Sequence, residues 1–221
     1  MRPVPTQPAA VATPSRREER RLLQQDLSRR QLLDAAEEVF GRKGFHETTL
    51  KEIAELAEFS VGSVYSFFES KDDLFRQIFV RRGEEFMPAM AEVLADESRD
   101  PLEQLHALVD FEIGFFRRHA DFGRLYLRYS SAVMQAADRG IDQVMRERYD
   151  AAMALQASLV ERGQAAGVFR PGDPVVLARL FSGLMAAYQA LDPAVVSDQP
   201  GTERLPLEEL HDLVEQAFIA R

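Results

Sequence analysis

The chain contains no cysteine among its 221 residues. This excludes a disulfide framework and a thiolate metal site, and it fits a reducing cytoplasm. Histidine is scarce: His46, His106, His119 and His211 are scattered and form no ligand pair at helical spacing, so neither a metal nor another cofactor is expected. No apolar run approaches the roughly 20 residues of a membrane span, and no membrane partner is expected. Arg16-Arg17 precedes "EERRLLQQDLSRR" rather than an apolar export segment, so a cytoplasmic location is expected. No nucleophile elbow, phosphate loop or carboxylate pair stands out, and the chain does not read as an enzyme. One further scarcity is local: residues 52–70 hold no lysine or arginine.

The net charge of −9 argues superficially against a nucleic-acid partner, but its distribution says more. Residues 1–30 carry seven arginines against three acids. Residues 71–221 carry 17 basic and 25 acidic side chains, so positive charge is concentrated at the front. The first 15 residues include four prolines and little to bury; residues 1–27 read as a disordered basic arm.

Helical periodicity begins at Ser28, with Leu32, Ala36, Val39 and Phe40 on one face and glycine closing "GRKG". Thr49-Leu-Lys-Glu52 is a capping box, Ser60 caps a short helix, and Ser70-Lys-Asp-Asp73 resembles a second box. The helix it opens should run to about residue 97, kinked at Pro88. Helices then follow at 101–118, about 121–136, about 140–166 and 174–191, with a loop at 192–204 and a last helix from Pro206. No alternating strand pattern is present. The fold class is all-α: a three-helix unit at 28–75, then a helical bundle at 76–221.

The stretch "EFSVGSVYSFFESKDDL" (58–74) sets short hydroxyls and a glycine among aromatics. Two short helices joined by a tight turn describe a helix-turn-helix, whose second member enters the major groove. Gly62 would let DNA approach, while Ser60, Ser63 and Ser66 would meet phosphates or base edges. Tyr65 would reach a phosphate and Phe67 a thymine methyl or sugar. Lys71 would form a phosphate clamp with the following helix N-terminus. With Thr49 and Lys51 these residues make up the candidate DNA-binding set. The alternative makes Tyr65 and Phe67 core aromatics and the serines a solvated face.

"GFHETTLKEIAELAEFSVGSVYSFFESKDDL" (44–74) resembles the DNA-binding domain of the TetR family of transcriptional regulators. The resemblance rests on Gly44-Phe45, Thr48-Thr49, Ile53-Ala54, Ser60-Val61-Gly62, Tyr65, Phe67-Phe68 and Ser70-Lys71, within about 28–75. Two positions depart from the family pattern. Glu58 stands where glycine is usual, in a turn expected to need positive φ, and Val61 where a polar or basic residue is common. The resemblance implies a dimeric repressor that binds a palindromic double-stranded DNA operator and is released by a small hydrophobic effector. A helical small-molecule-binding protein with weak or lost DNA recognition remains the alternative.

The same resemblance implies that the middle helices enclose the effector. The candidates are Phe111, Phe115, Phe122, Tyr126, Tyr129, Met145, Tyr149, Met153 and Tyr188, although any one of them can equally be plain core. The helix at 174–191 is apolar nearly all round, and with the last helix it resembles the family's dimer interface. The homodimer candidates are Leu180, Gly183, Leu184, Ala187, Leu210, Val214 and Phe218. A central core helix within one subunit is the competing reading.

Overall fold

The computed structural model describes residues 15–96, 98–135, 141–197 and 204–220, in which ten helices occur and no strand. They are α1 (Arg16–Lys43), α2 (Leu50–Leu56), α3 (Val61–Phe67), α4 (Lys71–Leu94), α5 (Pro101–Arg118), α6 (Ala120–Gln135), α7 (Ile141–Ala165), α8 (Pro174–Leu191), α9 (Pro193–Val196) and α10 (Leu207–Phe218). The all-α reading holds.

Most helix starts follow from side chains that satisfy otherwise unpaired backbone N–H groups. Thr49 and Glu52 form the expected reciprocal box. Ser60 accepts from Ser63 N, and Ser70 from Asp73 N. The Asp73 carboxylate reaches back to Glu69 N, one residue earlier than a standard box. Asp100 and Asp173 cap helices with proline in the first turn. α4 is one helix through Pro88. Within the expected 192–204 loop, Asp192 caps the short α9.

α1 starts twelve residues earlier than the periodicity predicts. Ser15 accepts from Glu18 N while the Glu18 carboxylate accepts from Ser15 N, so residues 16–27 form a continuous helical extension rather than a disordered arm. The remainder of the expected arm, residues 1–14, lies outside the described residues. The extension is exposed, Leu22, Leu23 and Leu27 included, and it carries Arg16, Arg17, Arg20 and Arg21.

One apolar cluster unites the first three helices with the front of α4, the end of α5 and α6, centred on Phe40, Ile53, Val64, Phe68, Leu74 and Leu125. A second fills the bundle among α4, α5, α7, α8 and α10. α1 packs against α6 closely enough that a Cβ on Gly41 would sit 2.7 Å from the Asp121 carbonyl oxygen. The buried Glu37 of α1 receives Arg81 and Arg82 of α4 at 2.6 and 2.9 Å. Past α7, Arg170 N donates to Phe218 O and Ala220 N to Val168 O, tying the end of α10 to the bundle.

The α10 assignment needs correction. Its apolar stripe, Leu210, Val214 and Phe218, is buried in the second cluster, with Val214 at 0% exposure. These three side chains contact their own chain, whereas Leu213 on the other face of α10 is 53% exposed. The outer face of α8 differs: Leu180 is 60% exposed, Gly183 and Ala187 are open, and Leu184 is half-buried. Its inner face, Leu177, Ala178, Phe181 and Met185, belongs to the core. By length and composition alone α8 would also suffice for a membrane span.

Candidate nucleic-acid interface and effector core

α3 is anchored by two side chains one turn apart. Val64 and Phe68 are buried, whereas Val61, Gly62, Tyr65 and Ser66 are exposed. Tyr65, at 58% exposure, is no core aromatic; Phe67 is half-buried against the first cluster. The serine hydroxyls are already oriented. Ser60 Oγ lies 2.8 Å from Ser63 Oγ, and Ser66 Oγ donates to Ser63 O at 2.6 Å. A Cβ on Gly62 would meet only Ser60 Oγ, at 3.7 Å, so packing within the chain does not require glycine there.

The turn before α3 is strained. Glu58 has φ 60°, alone among the described non-glycine residues in being positive. Phe59 N donates to Ala54 O and Glu58 N to Glu55 O, the Schellman pattern that commonly ends in glycine. The end of α7 repeats it: Val168 N donates to Gly163 O and Gly167 N to Gln164 O, with Gly167 at φ 71°.

The cations near α3 have partners within the chain. Lys43 pairs with Glu52, and Lys51 with Glu55 at 3.6 Å. Lys43 and the Thr49 cap together hold the Glu52 carboxyl down near 2. The Thr49 hydroxyl is spent on that cap. Lys71 stands 4.4 Å over the Phe45 ring, and Arg29 4.9 Å over Phe68 while bonding Gln77. Exposed ion pairs of this kind contribute little to stability.

The structure distributes the effector candidates over three places. Phe115, Phe122, Tyr126 and Tyr129 belong to the joint between α5–α6 and the DNA-binding helices. Phe122 meets Phe79 at 5.4 Å and Tyr129 meets Phe75 at 5.2 Å. The Tyr129 hydroxyl also accepts from the Phe45 backbone N–H at 2.7 Å, linking α6 directly to the α1–α2 turn. Tyr188 is committed elsewhere: it donates to Leu205 O at 2.6 Å and receives Arg117, whose Nε donates to the buried Asp192. Arg124 likewise bonds Val195 O and Ser197 O. Phe111 packs against Phe86 at 5.1 Å, Met153 is buried and Tyr149 is half-buried; the Met145 side chain lies outside the described residues.

The bundle core also holds two polar groups that its sequence pattern did not single out. Glu112 of α5 and Gln156 of α7 are both buried, and Gln156 Nε2 donates to Glu112 Oε1 at 2.8 Å. Burial pushes the Glu112 carboxyl up to about 8, opposed only by that amide. Burial raises the Tyr126 hydroxyl pKa, and Glu112 and Tyr149 add smaller increments, so these groups share one region. The available sign was register: Glu112 continues the buried Leu105–Leu108–Val109 stripe of α5. Beside Gln156 lies a small apolar cavity of about 10 Å³, lined also by Leu105, Leu108 and Phe181. A larger cleft of about 240 Å³, between α1, α4 and the α5–α6 corner, is open and polar.

Comparison with known proteins matches both parts of this architecture. The family described as "Bacterial regulatory proteins, tetR family" matches residues 32–78, and "Tetracyclin repressor-like, C-terminal domain" matches 101–195. The chain belongs to the TetR family of transcriptional regulators. Among curated relatives of this TetR-family chain, the HTH-type transcriptional repressor NicS of Pseudomonas putida is 29% identical over 150 residues, covering 68% of this chain and 69% of NicS. Two solved structures share the fold. The ketosteroid transcriptional regulator KstR2 of Mycobacterium tuberculosis has a TM-score of 0.71 at 19% identity, over 87% of this chain and 95% of that one. AibR, in complex with isovaleryl coenzyme A and operator DNA, has a TM-score of 0.69 at 18% identity, over 85% and 96%.

Proposed function

We propose that the protein is a homodimeric, cytoplasmic repressor that reads an approximately palindromic operator through α3 and releases it when a small effector enters the bundle. The supporting observation is the division of α3, with Val64 and Phe68 holding the helix while Val61, Gly62, Tyr65 and Ser66 face outward. A helix-turn-helix presents such a face to the major groove, and two copies related by a two-fold axis read two half-sites. Tyr65 and Lys71 serve phosphates in this reading, with Ser60, Ser63, Ser66 and Phe67 at the edge of the groove. Lys51 exchanges Glu55 for a phosphate, and Thr49 positions the helix start. The outer face of α8 supplies the dimer contact, since exposed Val176, Leu180 and Leu191 with open Gly183 and Ala187 form an apolar stripe that a second copy would cover. AibR, captured with both an acyl coenzyme A and operator DNA, supports the two-ligand logic for this fold.

A gel shift on the DNA upstream of the protein's own gene tests this reading, with Tyr65→Ala expected to weaken binding to every sequence and Ser63→Ala to change the preferred one. Absence of any specific complex would favour the second reading, a ligand-binding protein with lost DNA recognition. The exposed acid Glu58 beside a cation-free α3 is the observation on that side.

A further inference from the structure

We infer that Glu112 and Gln156 form the polar end of the effector site, and that this end takes a primary ammonium carried on an apolar body. The inference rests on the effector-responsive reading above and specifies the chemistry of its ligand. Both side chains are more than nine-tenths buried, at 5% and 4% exposure. Each retains unfilled hydrogen-bonding capacity. Gln156 spends its amide N–H on Glu112, but its Oε1 is buried without a partner. Glu112 accepts that single neutral bond, and no cation among the described residues pairs with it. Tyr126 from α6 and Tyr149 from α7 are the titratable groups nearest to it; Arg179 of α8 and Asp150 of α7 act on Tyr149, and neither acts on Glu112.

Gln156 Oε1 is an unfilled acceptor, and the Glu112 carboxyl becomes a second one when it ionises; a donor with positive charge satisfies both and favours the ionised form. An ammonium offers three N–H groups, enough for Glu112 and Gln156 Oε1 together. A carboxylate ligand would bring like charge to Glu112, and an alcohol has one donor and no charge. The small space of about 10 Å³ that Gln156 borders is apolar and has room for roughly one water-sized group, so it can take only the first part of an apolar body. The apolar body has matching surface: Tyr149, Met153 and Gln156 lie four and then three residues apart on one face of α7, and Leu108, Glu112 and Phe115 do the same on α5. The body itself requires the helices to part.

The chemistry has a countable signature. Burial keeps Glu112 mostly protonated at pH 7, with its pKa near 8. Pairing with an ammonium that arrives already charged converts the carboxylic acid to carboxylate, and the proton leaves to solvent. Isothermal titration of the full chain at pH 7 with n-octylammonium, octanol and octanoate, in two buffers of different ionisation enthalpy, reads both affinity and protons. The ammonium should bind at least tenfold more tightly than the other two and release close to one proton per site. Glu112→Gln should weaken it at least tenfold and abolish the release; Glu112→Asp should bind weakly yet still release a proton. Three results would each overturn the inference: no ammonium binding, equal affinity for octanol, or binding without proton release in the unmodified protein, a readout independent of how the variants fold. A gel shift of the ligand-free protein keeps the two readings apart, because a missing operator complex overturns the repressor and leaves ammonium binding standing.

Discussion

Glu58→Gly should make the protein more stable. A non-glycine residue held in the left-handed region costs about 1–2 kcal/mol. Glycine removes that cost but adds unfolded-state freedom worth roughly 0.5–1 kcal/mol. The net gain is about 0.5–1 kcal/mol, or about 1–4 °C in melting temperature for a chain of this size. Glu58→Ala is the control, because it removes the same charge and keeps the strain. Thermal melts by circular dichroism should therefore rank glycine above alanine. The second copy of the motif gives the reverse measurement: Gly167→Ala should cost about 1 kcal/mol, entirely through the backbone, since nothing lies within 4 Å of the added Cβ. A glycine variant melting at or below the alanine variant would refute the strain argument. Operator affinity separates the charge, since both Glu58 variants remove an acid beside α3 and should tighten binding equally.

Tyr129→Phe leaves the part-buried Phe45 N–H without its acceptor, which costs about 1 kcal/mol. Faster hydrogen exchange at Phe45, together with weaker operator binding in the absence of effector, is the expected pair of changes. Leu180→Glu should yield folded monomers by analytical ultracentrifugation, whereas Val214→Ala should lower stability by about 1–3 kcal/mol with the dimer retained; monomers from the second change but not the first would return the interface to α10. Replacing Arg16, Arg17, Arg20 and Arg21 by alanine should lower the slope of log K against log salt by about one unit per lost phosphate contact. An unchanged slope would exclude the α1 extension from DNA binding.

The local elements were legible where one side chain decides a backbone group. Thr49, Ser60, Asp100 and Asp173 start helices as read, and the family pattern located the positive φ at Glu58 before its geometry was known. Ser15 and Glu18 carried the same kind of signal, but the prolines and arginines around them read as disorder, and the helix start was missed. What covers an apolar stripe was not legible. The period of α10 says that Leu210, Val214 and Phe218 share a face; only the tertiary fold decides that this face meets α5 and α8 rather than another subunit. Aromatic composition alone does not say which residues share a site, for a related reason. Tyr129 and Phe122 serve the joint to the DNA-binding helices, and the polar residues that mark the bundle core, Glu112 and Gln156, interrupt the apolar pattern without changing its period.

The tightness of the bundle core also governs how quickly a signal can be received. A space of about 10 Å³ cannot accept an octyl chain, so on the proposed reading the effector waits for a brief separation of α5 and α7 before it can bind. Observed association rates should then level off at high ligand concentration, at the opening rate of the helices. Apparent affinity is reduced by the fraction of time the core stands open. A substitution that loosens the core, such as Leu108→Ala, would speed the response and heighten sensitivity while lowering stability. On the proposed effector-responsive reading, the response time is thus set by the packing of the interior as much as by the chemistry of the ligand.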